Sequence, residues 1–202
     1  EPTPPPLPST AEDIAFAPAW QIAAWIRQGK LTSRTLTDIY IERIHARGSR
    51  LECIVTLLAD NARKEAEACD KEFAKGKLRG PLHGLPYGLK DLIDTAGIAT
   101  EWGAEPYRGR LPDSDATIVT RLQEAGAVLL AKTTCGAIAY GDIWRGGHTR
   151  NPWNIQEGSS GSSAGSATAV ADGLCAFAIG TETMGSITSP SARCGTVGLR
   201  PR

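Results

Sequence analysis

Residues 157–170, EGSSGSSAGSATAV, and residues 180–195, GTETMGSITSPSARCG, are joined by AVADGLCAFAIG at 169–180, and that apolar bridge decides how the whole stretch is read. Between Gly158 and Gly198 there are eight glycines and eight serines, a composition that in isolation suggests a flexible linker. Linkers do not carry core strands, whereas 169–180 is apolar enough to be the end of a buried helix followed by a strand. Ala164 to Ala171 is a good helix former, so the serines before it would gather hydroxyls and free N–H groups at a helix N-terminus. Small residues on both sides of a serine also let backbone N–H groups crowd a reacting carbonyl, which bulky neighbours would block.

Outward from this stretch, short apolar runs alternate with helices. Pro86 to Ile93 reads as a strand, a Gly/Pro-rich loop extends to Asp113, and Asp115 to Ala125 reads as a helix. Ala127 to Lys132 and Cys175 to Ile179 read as strands, with a further element at Thr196 to Leu199. Nearer the N-terminus, Ala17–Gln28 and Ser33–Ala46 space their apolar residues as helices, with Gly29 and Gly48 as stops. Leu51 to Leu58 reads as a strand and Asn61 to Lys77 as a charged helix with alanines along one side. The alternation predicts an α/β protein whose largely buried β-sheet is flanked by helices. Residues 1–14 are set apart as a Pro-rich tail, and 15–202 form part of one domain. The break-off at Gly198-Leu-Arg-Pro-Arg predicts a fold incomplete at its C-terminus.

The chain has 202 residues, 41% of them hydrophobic, with 22 acidic and 22 basic side chains. Such a chain can bury a sizeable core, and it has no global field to attract nucleic acid. Its apolar runs, such as Ala125 to Ala131, are far shorter than the ~20 residues of a membrane span. Residue 1 is Glu and the only Met is Met184. A Pro-rich start of this kind suits either a processed exported precursor or a piece of a longer reading frame, and it tilts the expected location toward the periplasm or exterior. Cys53, Cys69, Cys135, Cys175 and Cys194 lack CxxC spacing, so neither a zinc site nor a disulfide framework is predicted.

Gly161-Ser-Ser-Ala-Gly165 satisfies G-x-S-x-G and offers Ser163 as an α/β-hydrolase nucleophile. That fold needs an acid and then a histidine after the serine, but His45, His83 and His148 all precede it. A lysine kept neutral by burial can activate a serine instead. Lys90 in GLPYGLKDLID and Lys132 in AVLLAKTT each end an apolar strand-like run. On the residues alone, the favoured reading of either is a strand-end lysine snorkelling to water.

GLPYGLKDLIDTAG, DSDATIVTRLQEAGAVLLAKT, NPWN, GSSGSSAGSATAVADG and GTETMGSITSPSARCGTVGLRP follow one another in the order and spacing of the amidase signature family of serine hydrolases, which the chain resembles from about Ala17 to Pro201. The resemblance implies a mixed sheet, amide-bond hydrolysis outside peptide chains, and a Ser, cis-Ser, Lys triad. The lysine falls on Lys90, the cis serine on Ser162 and the acylated serine on Ser186, with Ser163 as a supporting residue or a helix N-cap. Backbone N–H groups of Thr183, Met184, Gly185 and Ser186 would form the oxyanion hole, a contribution of roughly 3 kcal/mol per donor. Met184 stands where the family usually has glycine, Thr188 replaces a common arginine, and TCGAI at 134–138 lacks the usual Asn and Pro-Glu.

Family members run to about twice this length or more, so the resemblance places the chain at the N-terminal, catalytic portion of an amidase. No metal and no organic cofactor is implied. The expected partner is a small-molecule amide, with no nucleic acid directly and no membrane span; an exposed sheet edge leaves room for a homo-oligomer or a partner chain. Two rival readings stand beside this one. The first is the amidase subunit of a tRNA-dependent amidotransferase, which passes ammonia from glutamine to a partner. The second is a catalytically incomplete scaffold in which Lys90, Ser162 and Ser186 only pack.

Overall fold

The computed structural model describes residues 3–201; Glu1, Pro2 and Arg202, the extremities of the expected tail and domain, lie outside them. In chain order the elements are α1 (Ala11–Ala15), α2 (Ala19–Arg27), α3 (Ser33–Leu51), β1 (Ile54–Leu57), α4 (Ala59–Ala74), β2 (Pro86–Lys90), α5 (Thr117–Glu124) and β3 (Val128–Thr133). Two small hairpins follow, β4 (Ile143–Trp144) with β5 (Gly147–His148), then β6 (Arg150–Asn151) with β7 (Asn154–Gly158). The described chain closes with α6 (Ala164–Ala171), β8 (Phe177–Ile179) and α7 (Thr188–Cys194).

Four strands form the central sheet in the order β1-β3-β2-β8, with β1 antiparallel to β3 and the other pairs parallel. It is the mixed sheet flanked by helices that the resemblance implies. β2 and β3 are buried along their whole length, as expected of near-continuous apolar runs in parallel strands. Their pairing contains a bulge: Tyr87 faces Leu129 but Gly88 faces Ala131, which leaves Leu130 as the extra residue. Beyond the bulge Leu89 faces Lys132 and Lys90 faces Thr133.

Each sheet face has its own core. Val128, Leu130 and Ala131 join Trp25, Leu36 and Tyr40 in the larger one, to which α6 adds Ala169. Tyr87, Leu89 and Leu129 pack with Val119 and Leu122 of α5 in the smaller one. On α3, apolar Leu36, Tyr40, Ile44 and Leu51 recur at helical spacing and are buried, and Thr32 caps the start by accepting the Thr35 N–H at 3.0 Å. α3 also grips the far end of α6: Arg43 donates to the carbonyls of Asp172 and Gly173, both at 2.8 Å, and Arg47 pairs with the Asp172 carboxylate. Arg43 thereby satisfies carbonyls that a helix C-terminus leaves without partners.

Several expectations are corrected. Gly48 does not stop α3; it is buried within the helix, which ends at Glu52 in a left-handed conformation (φ 48°). Leu51 therefore belongs to the last helical turn and the following strand shrinks to Ile54–Leu57. Residues 196–199 form no regular element, and Val197 and Leu199 lie exposed. The 14/15 boundary falls inside α1, where Thr10 caps by accepting the Asp13 N–H, and the Trp25 indole donates to the Pro5 carbonyl at 2.8 Å. The tail is thus partly packed on the domain.

No helix of the described residues is long and apolar enough to cross a membrane. All five cysteines are free and buried. A groove over α6 and β8 is lined by Phe16, Val170, Phe177, Ile187 and Leu199, with Ser163 and Thr181 also in its lining.

Candidate active site

The Gly/Ser stretch is the opposite of a linker: Ser159, Ser162, Ser163 and Ser166 are all buried. Close packing explains its small residues. A Cβ on Gly161 would collide with the carbonyl of Gly141, and one on Gly165 with the carbonyl of Cys53 and the N–H of Thr134. The backbone at the start of α6 is thereby pressed against the end of β3, and the Gly165 N–H donates to the Thr134 carbonyl at 3.1 Å.

Lys90 ends β2 with its side chain on the α6 side of the sheet and no exposed surface. Its Nζ donates to Ser162 Oγ and to Thr181 Oγ1, each at 2.8 Å. Burial disfavours the ammonium and lowers the Lys90 pKa from the ordinary lysine value to about 8, a pull that the Cys135 thiol opposes only weakly. The expected snorkelling to water is not what happens, for Lys90 or for Lys132; both are fully buried. Parallel neighbours cover the strand ends, and hydroxyls take the place of water.

Ser162 follows a cis peptide from Gly161, and its carbonyl accepts the Gly136 N–H at 3.2 Å. Ser163 holds the N-cap position of α6, yet its hydroxyl does not cap the helix. It donates instead to the Thr181 carbonyl at 3.2 Å and accepts the Thr181 N–H at 3.1 Å. The Ser163 N–H in turn donates to the Ser186 carbonyl at 3.0 Å. One serine thus stitches the two Gly/Ser segments together across β8.

Ser186 is half-buried on the turn between β8 and α7, tied in by its backbone. Among the described residues its hydroxyl makes no hydrogen bond, so the Lys90–Ser162 link is formed and a Ser162–Ser186 link is not. Around it the N–H groups of Thr183, Met184 and Ser186 have no acceptor among the described residues. Gly185, with φ of 97°, turns its N–H toward the Glu182 carboxylate, whose hydrogen bonds come from Ile187 and Thr188. Met184 avoids the turn's interior altogether, its side chain 92% exposed.

Two residues that the sequence does not single out complete the site. Thr181 is the second partner of Lys90, and Glu182 accepts the N–H groups of Ile187 and Thr188 at 2.7 Å each. Those bonds, the Thr188 N–H foremost, hold the Glu182 carboxyl below its usual range. Both open the GTETMGS segment, but nothing in their type says which way the turn will face them. The alternative elbow at Ser163 finds no histidine: His148 pairs with Asp142 at 3.1 Å, His83 sits 3.0 Å from the Cys69 carbonyl, and His45 is exposed.

The site therefore offers a buried amine of lowered basicity, a hydroxyl bonded to it, a second hydroxyl free on a neighbouring turn, and uncommitted N–H groups beside that hydroxyl. The sequence model of the family described as Amidase matches residues 35–202. One subunit of the glutamyl-tRNA(Gln) amidotransferase of Roseiflexus sp. (strain RS-1) is 41% identical over 179 residues, 87% of this chain and 37% of the relative. The corresponding subunit from Halorhodospira halophila is 42% identical over 187 residues, covering 90% and 38%. Among solved structures, the native peptide amidase from Stenotrophomonas maltophilia superposes with a TM-score of 0.85 at 45% identity, covering 92% of this chain and 40% of the other. A fatty acid amide hydrolase gives a TM-score of 0.86 at 29% identity, covering 92% and 33%. The chain spans about two fifths of the length of these two amidotransferase subunits and of the peptide amidase.

Proposed function

We propose, from the premise that this chain belongs to the amidase family, that it hydrolyses the carboxylic amide of a small molecule, at a C–N bond outside a peptide chain, through an acyl-enzyme on Ser186. The observation that carries the reading is the 2.8 Å bond between the buried Lys90 amine and Ser162 Oγ. In its neutral form Lys90 accepts the Ser162 proton while Ser162 takes the proton of Ser186, whose Oγ forms a bond to the amide carbon. The negative charge that develops on the carbonyl oxygen faces the N–H groups of Thr183, Met184, Gly185 and Ser186. Collapse breaks the C–N bond, the relay returns its proton to the leaving nitrogen, and water attacks the ester to release the acid. The Ser186 hydroxyl must close on Ser162 for the first transfer, and the half-exposed turn that carries it allows that rotation.

The test is intact-mass analysis after treatment with a fluorophosphonate. One adduct is expected in the unaltered chain, none in Ser186→Ala, and slow formation in Lys90→Ala. A folded chain that takes no adduct, or takes one in Ser186→Ala, overturns the reading. A second reading, favoured by the amidotransferase relatives at 41 and 42% identity, is that the amide is glutamine and the released ammonia goes to a partner chain. Glutaminase activity together with a co-purifying partner would select it.

A further inference from the structure

The second buried lysine takes no part in that chemistry, yet it is bonded more fully than Lys90. Lys132 Nζ donates to the Ile93 carbonyl at 2.7 Å, to Thr100 Oγ1 at 2.7 Å and to Thr95 Oγ1 at 3.1 Å, which uses all three ammonium protons. Every acceptor belongs to the segment that leaves β2 just after Lys90. The bulge at Leu130 puts Lys132 opposite Leu89, so its side chain and that of Lys90 leave the sheet on opposite faces.

We infer that Lys132 is a positioning residue for Lys90, bolting the turn behind β2 from the far face of the sheet and so fixing the aim of the Lys90 amine. The connection runs through the backbone. The Ile93 peptide donates its N–H to the Lys90 carbonyl at 3.0 Å, and the same residue's carbonyl receives Lys132. Asp91 donates its N–H to the Thr133 carbonyl at 2.9 Å and accepts the Trp102 N–H on its own carbonyl at 3.0 Å. Its Oδ2 accepts the Glu101 N–H at 3.0 Å, while its buried Oδ1 has no hydrogen bond and lies 3.9 Å from Lys132 Nζ. Lys132 is therefore the nearest counter-charge to a carboxylate adjoining Lys90.

Lys90 needs that bolt because it must meet two hydroxyls at 2.8 Å from the last residue of its strand, and small displacements of a reacting group carry large rate penalties. Asp91, Asp94, Arg110 and Asp115 are the charged groups acting on Lys132, and Cys135 is the titratable group acting on Lys90. The two side chains leave opposite faces of the sheet, so the effect is one of placement.

The inference rests on Lys90 being the base of the proposed reaction, and its test has a readout apart from activity. In the full chain, the Lys90 13Cε resonance is followed against pH, assigned by its loss in Lys90→Met, in the unaltered protein, Lys132→Met, Asp91→Asn/Lys132→Met and Thr100→Val. The double variant leaves no lone buried charge if Lys132→Met fails to fold, and Thr100→Val removes a single acceptor. The unaltered midpoint is expected near 8; in the folded Lys132 variants it should rise toward the ordinary lysine range, with Ser186 labelling slowed on the order of tenfold or more. Thr100→Val should move both in the same direction by less. Folded variants that keep the unaltered midpoint and labelling rate overturn the inference. If the unaltered chain takes no label, the proposed function fails, while the resonance still decides whether Lys132 places Lys90.

Discussion

Lys90 meets its two hydroxyl partners without a water molecule between them, and its ionisation follows from that enclosure. In the proposed reaction the neutral amine is the active form, so the Ser186 labelling rate is expected to rise with pH and level off above about 8; a rate flat from pH 6 to 9 would remove Lys90 from the proposed base role. The same burial makes a stability statement. The folded lysine has the depressed pKa, so between about 8 and its ordinary value near 10.5 the unfolded chain holds more protons, and its stability contribution improves as pH rises through that window. Comparing urea midpoints of the unaltered chain and Lys90→Met isolates this from the cysteines and tyrosines that titrate nearby; the unaltered chain should gain on the variant from pH 8 to 10. Lys90 was legible in the sequence as a charge ending an apolar run, although water was the expected partner. Thr181 and Glu182 were not, since a threonine and a glutamate in a turn acquire roles only when the turn folds back on β2 and α7.

At the scale of elements, the bulge in β3 decides where charge goes. In an unbulged pairing Lys132 would face Lys90 and share its side of the sheet, placing two buried ammonium groups next to each other; the extra residue Leu130 sends them to opposite faces. Period-two alternation cannot reveal this, because VLLAK is apolar on both sides of the bulge. Helix α6 was legible to the residue, Ala164–Ala171, since small helix formers between a serine loop and Asp172-Gly173 leave little choice. The hairpins at 143–158 were invisible because three of their four strands have only two residues and carry no period. Gly165→Ala tests the approach of α6 to β3. With backbone atoms of Cys53 and Thr134 already where the methyl group would sit, overpacking is expected to lower stability by roughly 1–3 kcal/mol in urea unfolding, and an unchanged midpoint would mean that this contact gives way.

For the molecule as a whole, the alternation of apolar runs and helices was enough to name the α/β class but not the strand order, which depends on crossovers that pass over α4, α5 and α6. Nor could it say that β8 would be the edge strand of the sheet among the described residues, beside a groove, because an edge strand and an inner strand differ in neighbours before they differ in composition. The five buried thiols turn this architecture into its own gauge. They sit in both the helix-packed core and the site, at Cys53, Cys69, Cys135, Cys175 and Cys194. An aromatic disulfide reagent should register none of them at first in the native chain and all five at once in denaturant. In native buffer the order in which they appear, read by peptide mass, would rank the parts of the molecule by how readily each opens, with Cys135, whose charge acts on Lys90, reporting on the proposed site without any substrate being known.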